Sequence, residues 1–576
     1  VFLRWDLSKI FPDDALALEH ANVQLNRLKD FVSKLESEHE PEKLLELIKL
    51  IEDTVDEFGK TSQYTWMRYS ISTDDQGAQK LLGTMEKLWS QVSEQLAIVQ
   101  VHLSNLSDAV LKAIVQLDPN YEHYIERVIL ERNHTLSKDA ERILALTSTT
   151  RRSAIAKIHS RLESSYTFEL EIDGQIQKLT TEQMKALRRS PDGNLRKLGM
   201  KMLLERFASD AIAITEIYNL IIKDYALESK LRNFKRPISM MNFHNEVSDE
   251  VVDKLVETTN KNAEILRKYY RWKSAYMNER LTLADVYAPL KPVKRKFEIE
   301  QAKEIILDAY YSFNKKAGEL VQRFFEEERI ELYPRYGKVS GAYCIYLSTK
   351  LPPYVLTNYN GDMYDIMTLA HELGHGLHGE LSRSQTYFNH DTPLTLAELA
   401  SVFGEFLVFD KLRKTLDGEE RKLFTASKIE EIFATTFRQN MFTMFEIRVF
   451  DEIERQGYLS WEELKDIYYQ VLLELFGDVV DIPEWYRNEW AMVSHFFETP
   501  FYVYAYNFAN CLVIALYKKY LSEGQTFIDK YLELLSYGGK YSPEKLLARV
   551  GIDIAKETFW QEAFDFIDEL VNEVVD

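Results

Sequence analysis

Residues 361–379 read GDMYDIMTLAHELGHGLHG. Asp362 stands where a helix N-cap is expected, and Gly379 where a helix ends. Between them Ile366, Ala370, Leu373 and Leu377 recur at intervals of three and four. That spacing makes one apolar stripe and predicts a buried helix.

On that helix His371 and His375 are four residues apart. Their rings leave the same side about one turn apart, the separation two imidazoles need to share one zinc ion. Glu372 then sits beside the metal rather than on it, placed to take a proton from a metal-activated water. His378 returns to the face of His371, but at 1.5 Å per residue it lies ~10 Å along the axis, too far for one ion. It reads as a pocket or helix-end residue.

A catalytic zinc takes three protein ligands and keeps one position open. The next helical stretch, TLAELASVFGEFLVF, offers Glu398, with Glu405 seven residues on and on the same face. Thr395 followed by Glu398 also spells a capping box, which alone would account for the glutamate. Both readings stand at this point. If Glu398 is the third ligand, Glu405 is a candidate acceptor for the second N–H of a ligand histidine.

Upstream of the motif, GAYCIYLS (341–348) and PYVLTN (353–358) are two short β-rich runs joined as a hairpin. Further back, residues 16–161 carry apolar positions at helical spacing, with Pro41 and the polar patch 72–77 as the main breaks. The period changes to two in TFELEIDGQIQKL, where Asp173 and Gly174 form a hairpin turn. Thr180 and Gln183 then make a capping box for a new helix. The expected division is an N-terminal helical domain over 1–180 ending in that hairpin, and a catalytic domain over 181–576. VYAPLKP, 286–292, is the clearest irregular linker.

Composition agrees with a mainly α-helical protein. Gly (21) and Pro (14) are scarce in 576 residues, while 28% of residues are charged and 45% hydrophobic. A net charge of −20, from 71 basic and 91 acidic residues, repels phosphate backbones and anionic lipid. Neither nucleic acid nor membrane is an expected partner. The two cysteines, Cys344 and Cys511, are too few for a disulfide framework and fit a reducing compartment. With no basic leader and no run of ~18 apolar residues, the expectation is a soluble cytoplasmic protein.

Hydrolysis at such a metal builds negative charge on the former carbonyl oxygen, which a second donor opposite the metal would stabilise. SHFFETPFYVYAYNFAN, 494–510, is the stretch to search. Thr499 and Pro500 mark a helix start there, which puts Tyr502 and Tyr506 on one face and turns Tyr504 away. The chain has 33 tyrosines, most of them core and interface filling, so geometry alone does not single out Tyr506.

Four motifs taken in order, GAYC before PYVLTN, TLAHELGHGLH, TLAELASVFGE and HFFETPFYVYAY, resemble the oligoendopeptidase F branch of the thimet oligopeptidase family of zinc peptidases. The resemblance covers roughly residues 181–576. It implies a large helical body around a deep substrate channel, with a small β-sheet beside the motif helix. It further implies one Zn2+ on His371, His375 and Glu398, Glu372 as general base, and a His and Tyr pair on the oxyanion. Carried over, that pair is His495 and Tyr506, with Tyr502 as neighbour. Cys344 stands where the family usually has serine, and no nearby histidine in sequence would activate it.

The expected activity is therefore zinc-dependent endopeptidase cleavage of oligopeptides. One alternative keeps the zinc and binds peptides without turnover, which the intact Glu372 argues against. A di-iron carboxylate oxidase would need a second ExxH, and only Glu36 to His39 supplies one, in a charge-dense segment running into Pro41.

Overall fold

The computed structural model describes residues 3–147, 150–172, 174–291 and 295–576. The chain is mainly α-helical with two small sheets. Its contacts divide it into two compact units, each assembled from three separated stretches. The first unit takes Val1–Asn133, Lys294–Thr415 and Lys519–Asp553; the second takes His134–Val293, Leu416–Lys518 and Ile554–Asp576. Residue 180 falls inside the second unit.

In the first unit the N-terminal helices Asp14–Leu35, Pro41–Ser70 and Gln76–Asn105 pack on one another through Leu28, Val32, Ile48, Val55 and Val92. Pro41 does not break a helix but opens one, at the position where its missing N–H costs nothing. The polar patch is a turn over 72–75 that leads into the third helix, with Asp75 accepting from the N–H groups of Gly77 and Ala78 as its cap.

The second core of this unit joins that helical layer to a three-stranded sheet. Tyr64 and Met67 of the Pro41–Ser70 helix share a cluster with Ile345, Leu347, Tyr354 and Leu356. The second unit holds the sequence-predicted hairpin, β1 (Thr167–Ile172) and β2 (Gln175–Thr180), paired antiparallel from Thr167↔Thr180 to Ile172↔Gln175. Gly174 takes φ +75° in its turn, while Asp173 lies outside the described residues. The capping box of Thr180 and Gln183 is formed. In the first unit, β3 (Ile330–Glu331), β4 (Tyr343–Ile345) and β5 (Tyr354–Leu356) lie in the order β3-β5-β4. β4 and β5 are the expected hairpin, with Tyr343 opposite Leu356; β3 adds in parallel, and β4 is left as an edge.

The rest of the second unit is helical, with an aromatic core that includes Tyr218, Phe445, Trp490 and Phe497. Two ion pairs with a fully buried cation tie its segments together: Arg196 to Asp285 at 2.9 Å and Lys273 to Glu430 at 2.6 Å. The described part of the 286–292 linker, which stops before Pro292, is irregular, yet Val286 and Ala288 are buried. Among the described residues no single helix is long and apolar enough to cross a membrane. Cys344 and Cys511 are both free thiols.

Candidate active site

The motif helix runs Met363–Ser382, three residues past the expected end at Gly379, and Asp362 caps it in a box with Asp365. Ile366, Ala370, Leu373 and Leu377 are all buried, as the stripe requires. The helix is held close on every side by its own glycines. A Cβ on Gly374 would meet the Ala400 carbonyl, one on Gly376 the Phe324 ring, and one on Gly379 the Tyr346 ring. Tyr346 donates to the His375 carbonyl at 2.8 Å and Tyr310 to the Ala370 carbonyl at 3.1 Å. Beyond the histidines, Glu380 meets the buried Arg329 at 2.6 Å, which fastens the helix to the sheet.

Glu398 comes to the histidines by a route the capping pattern did not indicate. Thr395 is not an N-cap: a short helix starts at Leu394 after Pro393, stops at Ala397, and a second begins at Ser401. Glu398 lies in the break and caps no helix N-terminus; its carboxylate accepts from the Ser401 hydroxyl at 2.6 Å. The same oxygen is 3.3 Å from His371 Nε2 and 3.6 Å from His375 Nε2. Tyr531, more than a hundred residues on, packs at the break: it donates to the Leu399 carbonyl at 2.7 Å and stacks on Phe403 at 4.3 Å.

Ligand atoms of His371, His375 and Glu398 all lie within 4.8 Å of one another, the one such metal-suited group among the described residues. Tetrahedral ligands at zinc's bond length of ~2 Å stand about 3.3 Å apart, close to the two separations on Glu398. The donor set therefore suits a zinc ion. His371 Nδ1 is hydrogen-bonded to Glu405, which fixes the ring and leaves Nε2 toward the cluster.

The electrostatics point the same way. Burial lowers His371, but the hydrogen bond and charge of Glu405, with Glu398 and Glu372 adding, outweigh it and raise it to about 9. His375 is lowered to about 4, by burial first and by its neighbour His371 against the pull of Glu398. Burial raises Glu372 to about 7, with Glu398 and Glu405 contributing and His371 and the Cys344 backbone opposing. Three carboxylates thus crowd two imidazoles, an excess of negative charge that a divalent cation offsets. His378 is buried outside this cluster, lowered to about 3 by burial and by His375 and His390.

A cavity of about 880 Å³ opens over His371, Glu372 and His375. It is lined by β4 and its continuation to Ser348, and by Gly59, Gln63 and Trp66 of the Pro41–Ser70 helix beside them. These N-terminal residues were not singled out from the sequence, because none bears a group that performs chemistry. Cys344 lines this cavity, and burial pushes its thiol well up, which disfavours the thiolate.

The remaining expected residues gather in the second unit. His495 lies on the short helix Ser494–Glu498 and Tyr506 near the start of the helix Tyr504–Glu523. That helix begins at Tyr504 and not at Pro500. Between them Phe501 takes φ +63°, a left-handed turn that no proline-initiated helix contains. Glu446, fully buried, accepts the Phe501 N–H at 2.8 Å and holds that turn. Tyr502 therefore precedes the helix that carries Tyr504 and Tyr506. Tyr506 Oη is 3.3 Å from His495 Nε2, and the Tyr502 ring is parallel to His495 at 5.6 Å. Tyr504 is buried, with its hydroxyl 2.9 Å from Asn245 Nδ2. Burial lowers His495, only partly opposed by Glu498, which favours the neutral ring.

Comparison with known proteins comes from three directions. The model described as peptidase family M3 matches residues 186–566, and one described as oligopeptidase F matches residues 102–168. An oligoendopeptidase F homolog of Borreliella burgdorferi is 27% identical over 568 residues, covering 96% of this chain and 94% of its own. Oligopeptidase PepF of Bacillus subtilis is 25% identical, covering 99% of this chain and 86% of its own. Among solved structures, a chain from Chlamydophila abortus superposes with a TM-score of 0.90 at 24% identity, over 100% of this chain and 98% of its own. Oligoendopeptidase F from Enterococcus faecium does so with a TM-score of 0.70 at 22% identity, over 97% and 98%. At those identities the structural likeness speaks for the fold.

Proposed function

The chain belongs to peptidase family M3, and from that premise we propose that it is a zinc-dependent endopeptidase acting on oligopeptides. The observation that carries the proposal is the convergence of ligand atoms of His371, His375 and Glu398 beside a cavity lined by both histidines and the buried Glu372. A zinc ion held by those three residues would supply a Lewis acid, which acidifies water and polarises the scissile carbonyl. Glu372 accepts the proton of the attacking water and returns it to the leaving amine.

Glu405 keeps His371 in the tautomer that presents Nε2. His495 and Tyr506, with Tyr502 beside them, form a donor group of the kind that stabilises an oxyanion. The free edge of β4 is available to pair with an extended peptide backbone, which favours unfolded oligopeptides over folded proteins. The names of the relatives, oligoendopeptidase F and oligopeptidase, support the same substrate class.

The intact Glu372 counts against a peptide-binding scaffold without turnover. A di-iron site has no second cluster among the described residues. The deciding experiment measures cleavage of quenched oligopeptides by native protein, chelated protein and Glu372→Gln. The expected result is loss of activity on chelation, recovery with zinc, and a Gln variant that keeps zinc without turnover. Full activity after complete metal removal would sink the reading.

A further inference from the structure

Gly59, Gln63 and Trp66 stand at i, i+4 and i+7 of the Pro41–Ser70 helix, so they share one face, and all three line the cavity. That face lies alongside β4. At one end a Cβ on Gly59 would be 3.9 Å from the Leu347 carbonyl and 3.8 Å from the Tyr387 hydroxyl. At the other end the Trp66 ring centroid is 6.4 Å from that of Tyr343. Helix and strand thus pack side by side along the cavity, and Cys344, whose backbone N–H reaches Glu372, sits one residue from the Trp66 end.

Trp66 is 39% exposed although it lies in a concave site. Tyr69 packs against it at 5.7 Å, so with Tyr343 on its other flank the indole is held in place while part of it faces the cavity. The cavity residues around it, Gln63, Ala342, Tyr343 and Ile345, bring no charge. The charged Asp391 lines the cavity with Tyr387 and Phe388, the aromatic pair that belongs to the Gly59 end. A bare aromatic surface gains most from covering by another large apolar group.

We propose that Trp66, with Tyr343, forms a specificity subsite that takes an aromatic or large aliphatic side chain of the peptide, within two residues of the cleaved bond. The inference rests on the reading of this cavity as the peptide-cleaving site. A peptide extended along β4 points alternate side chains to the sheet face on which the Pro41–Ser70 helix packs, which brings one of them to the indole.

The test compares wild type, Trp66→Ala and Trp66→Phe on a peptide library varied on both sides of the scissile bond. Wild type should prefer Phe, Tyr or Leu over Ala, Ser or Asp at one position. Trp66→Ala should lower kcat/KM for those peptides about tenfold, the scale of a side-chain pocket, and leave peptides with Ala there unchanged. Trp66→Phe should keep most of the preference. An equal preference in wild type and Trp66→Ala, with unchanged Tm, would overturn the subsite. Were no peptide cleaved by wild type, the peptidase reading would fall instead. Equilibrium binding of the Phe and Ala peptides to wild type and Trp66→Ala would then still decide the subsite, because it needs no turnover.

Discussion

Gly374 lies so close to Ser401 that a Cβ atom on the glycine would stand 2.6 Å from the Ser401 Cα. The motif helix and the helix after Glu398 therefore touch main chain to main chain. That contact brings the Glu398 carboxylate within 3.6 Å of both histidines.

Gly374→Ala should push the two helices apart, because the atoms it meets are backbone and cannot rotate away. The expected cost is about 1–3 kcal/mol of stability, the usual range for an overpacked core. Zinc content should fall with it, since Glu398 moves with its helix. A variant with native Tm and full zinc occupancy would show that the contact is not what sets the cluster.

Glu405→Gln tests the ring that Glu405 orients. Its carboxylate fixes His371 through Nδ1, and loss of such a partner lowers metal affinity about 10- to 100-fold. Competition with a chromophoric chelator reads that shift directly. Glu398→Ala should go further and empty the site. Retained zinc in Glu398→Ala would remove it from the ligand set.

Tyr506→Phe should lower kcat by roughly 10²-fold with KM nearly unchanged, as expected for a donor that acts in the transition state. Tyr504→Phe should do the reverse. It removes a buried hydrogen bond to Asn245, which costs about 1 kcal/mol of stability, and it leaves turnover near wild type. Steady-state kinetics beside thermal melts separate the two, and an exchange of their effects would reassign the donor.

Glu446 makes stability depend on pH in a definite direction. Burial raises it from 4.5 to about 8, so between those values the folded chain holds a proton that the unfolded chain releases. Its contribution is fully present below pH 4.5 and declines as pH rises toward 8. The slope is at most about 1.4 kcal/mol per pH unit. Glu446→Gln keeps an acceptor for the Phe501 N–H but cannot ionise. Its Tm relative to wild type should therefore be higher at pH 8 than at pH 5. A difference that does not change with pH would mean that Glu446 does not titrate in this window.

The parts of the site that were legible in the sequence are the local ones. Asp362, the apolar stripe and the His371–His375 spacing depend only on residues within a few turns, and the helix forms as they specify. The β4–β5 hairpin was legible for the same reason. Glu398 was found as a carboxylate one helix on, but its setting was misread: it lies in a helix break where Tyr531 packs, beside the backbone contact at Gly374. The helix start assigned to Pro500 failed likewise, because Glu446, 55 residues away in sequence, stabilises a left-handed Phe501. Trp66 and Gly59 escaped notice altogether. An apolar ring and a missing side chain carry no chemical signature until a fold places them beside β4.

The packing of Tyr531 at the Glu398 turn also orders events during synthesis. The helix Gln525–Ser536 that carries Tyr531 is made well over a hundred residues after the HELGH segment. At about 5–20 residues per second the ribosome needs on the order of ten seconds to cover that gap. For that interval the nascent chain holds both histidines without the tyrosine that packs beside their third partner. A chain that ends before Tyr531 lacks the donor to the Leu399 carbonyl and the ring that stacks on Phe403.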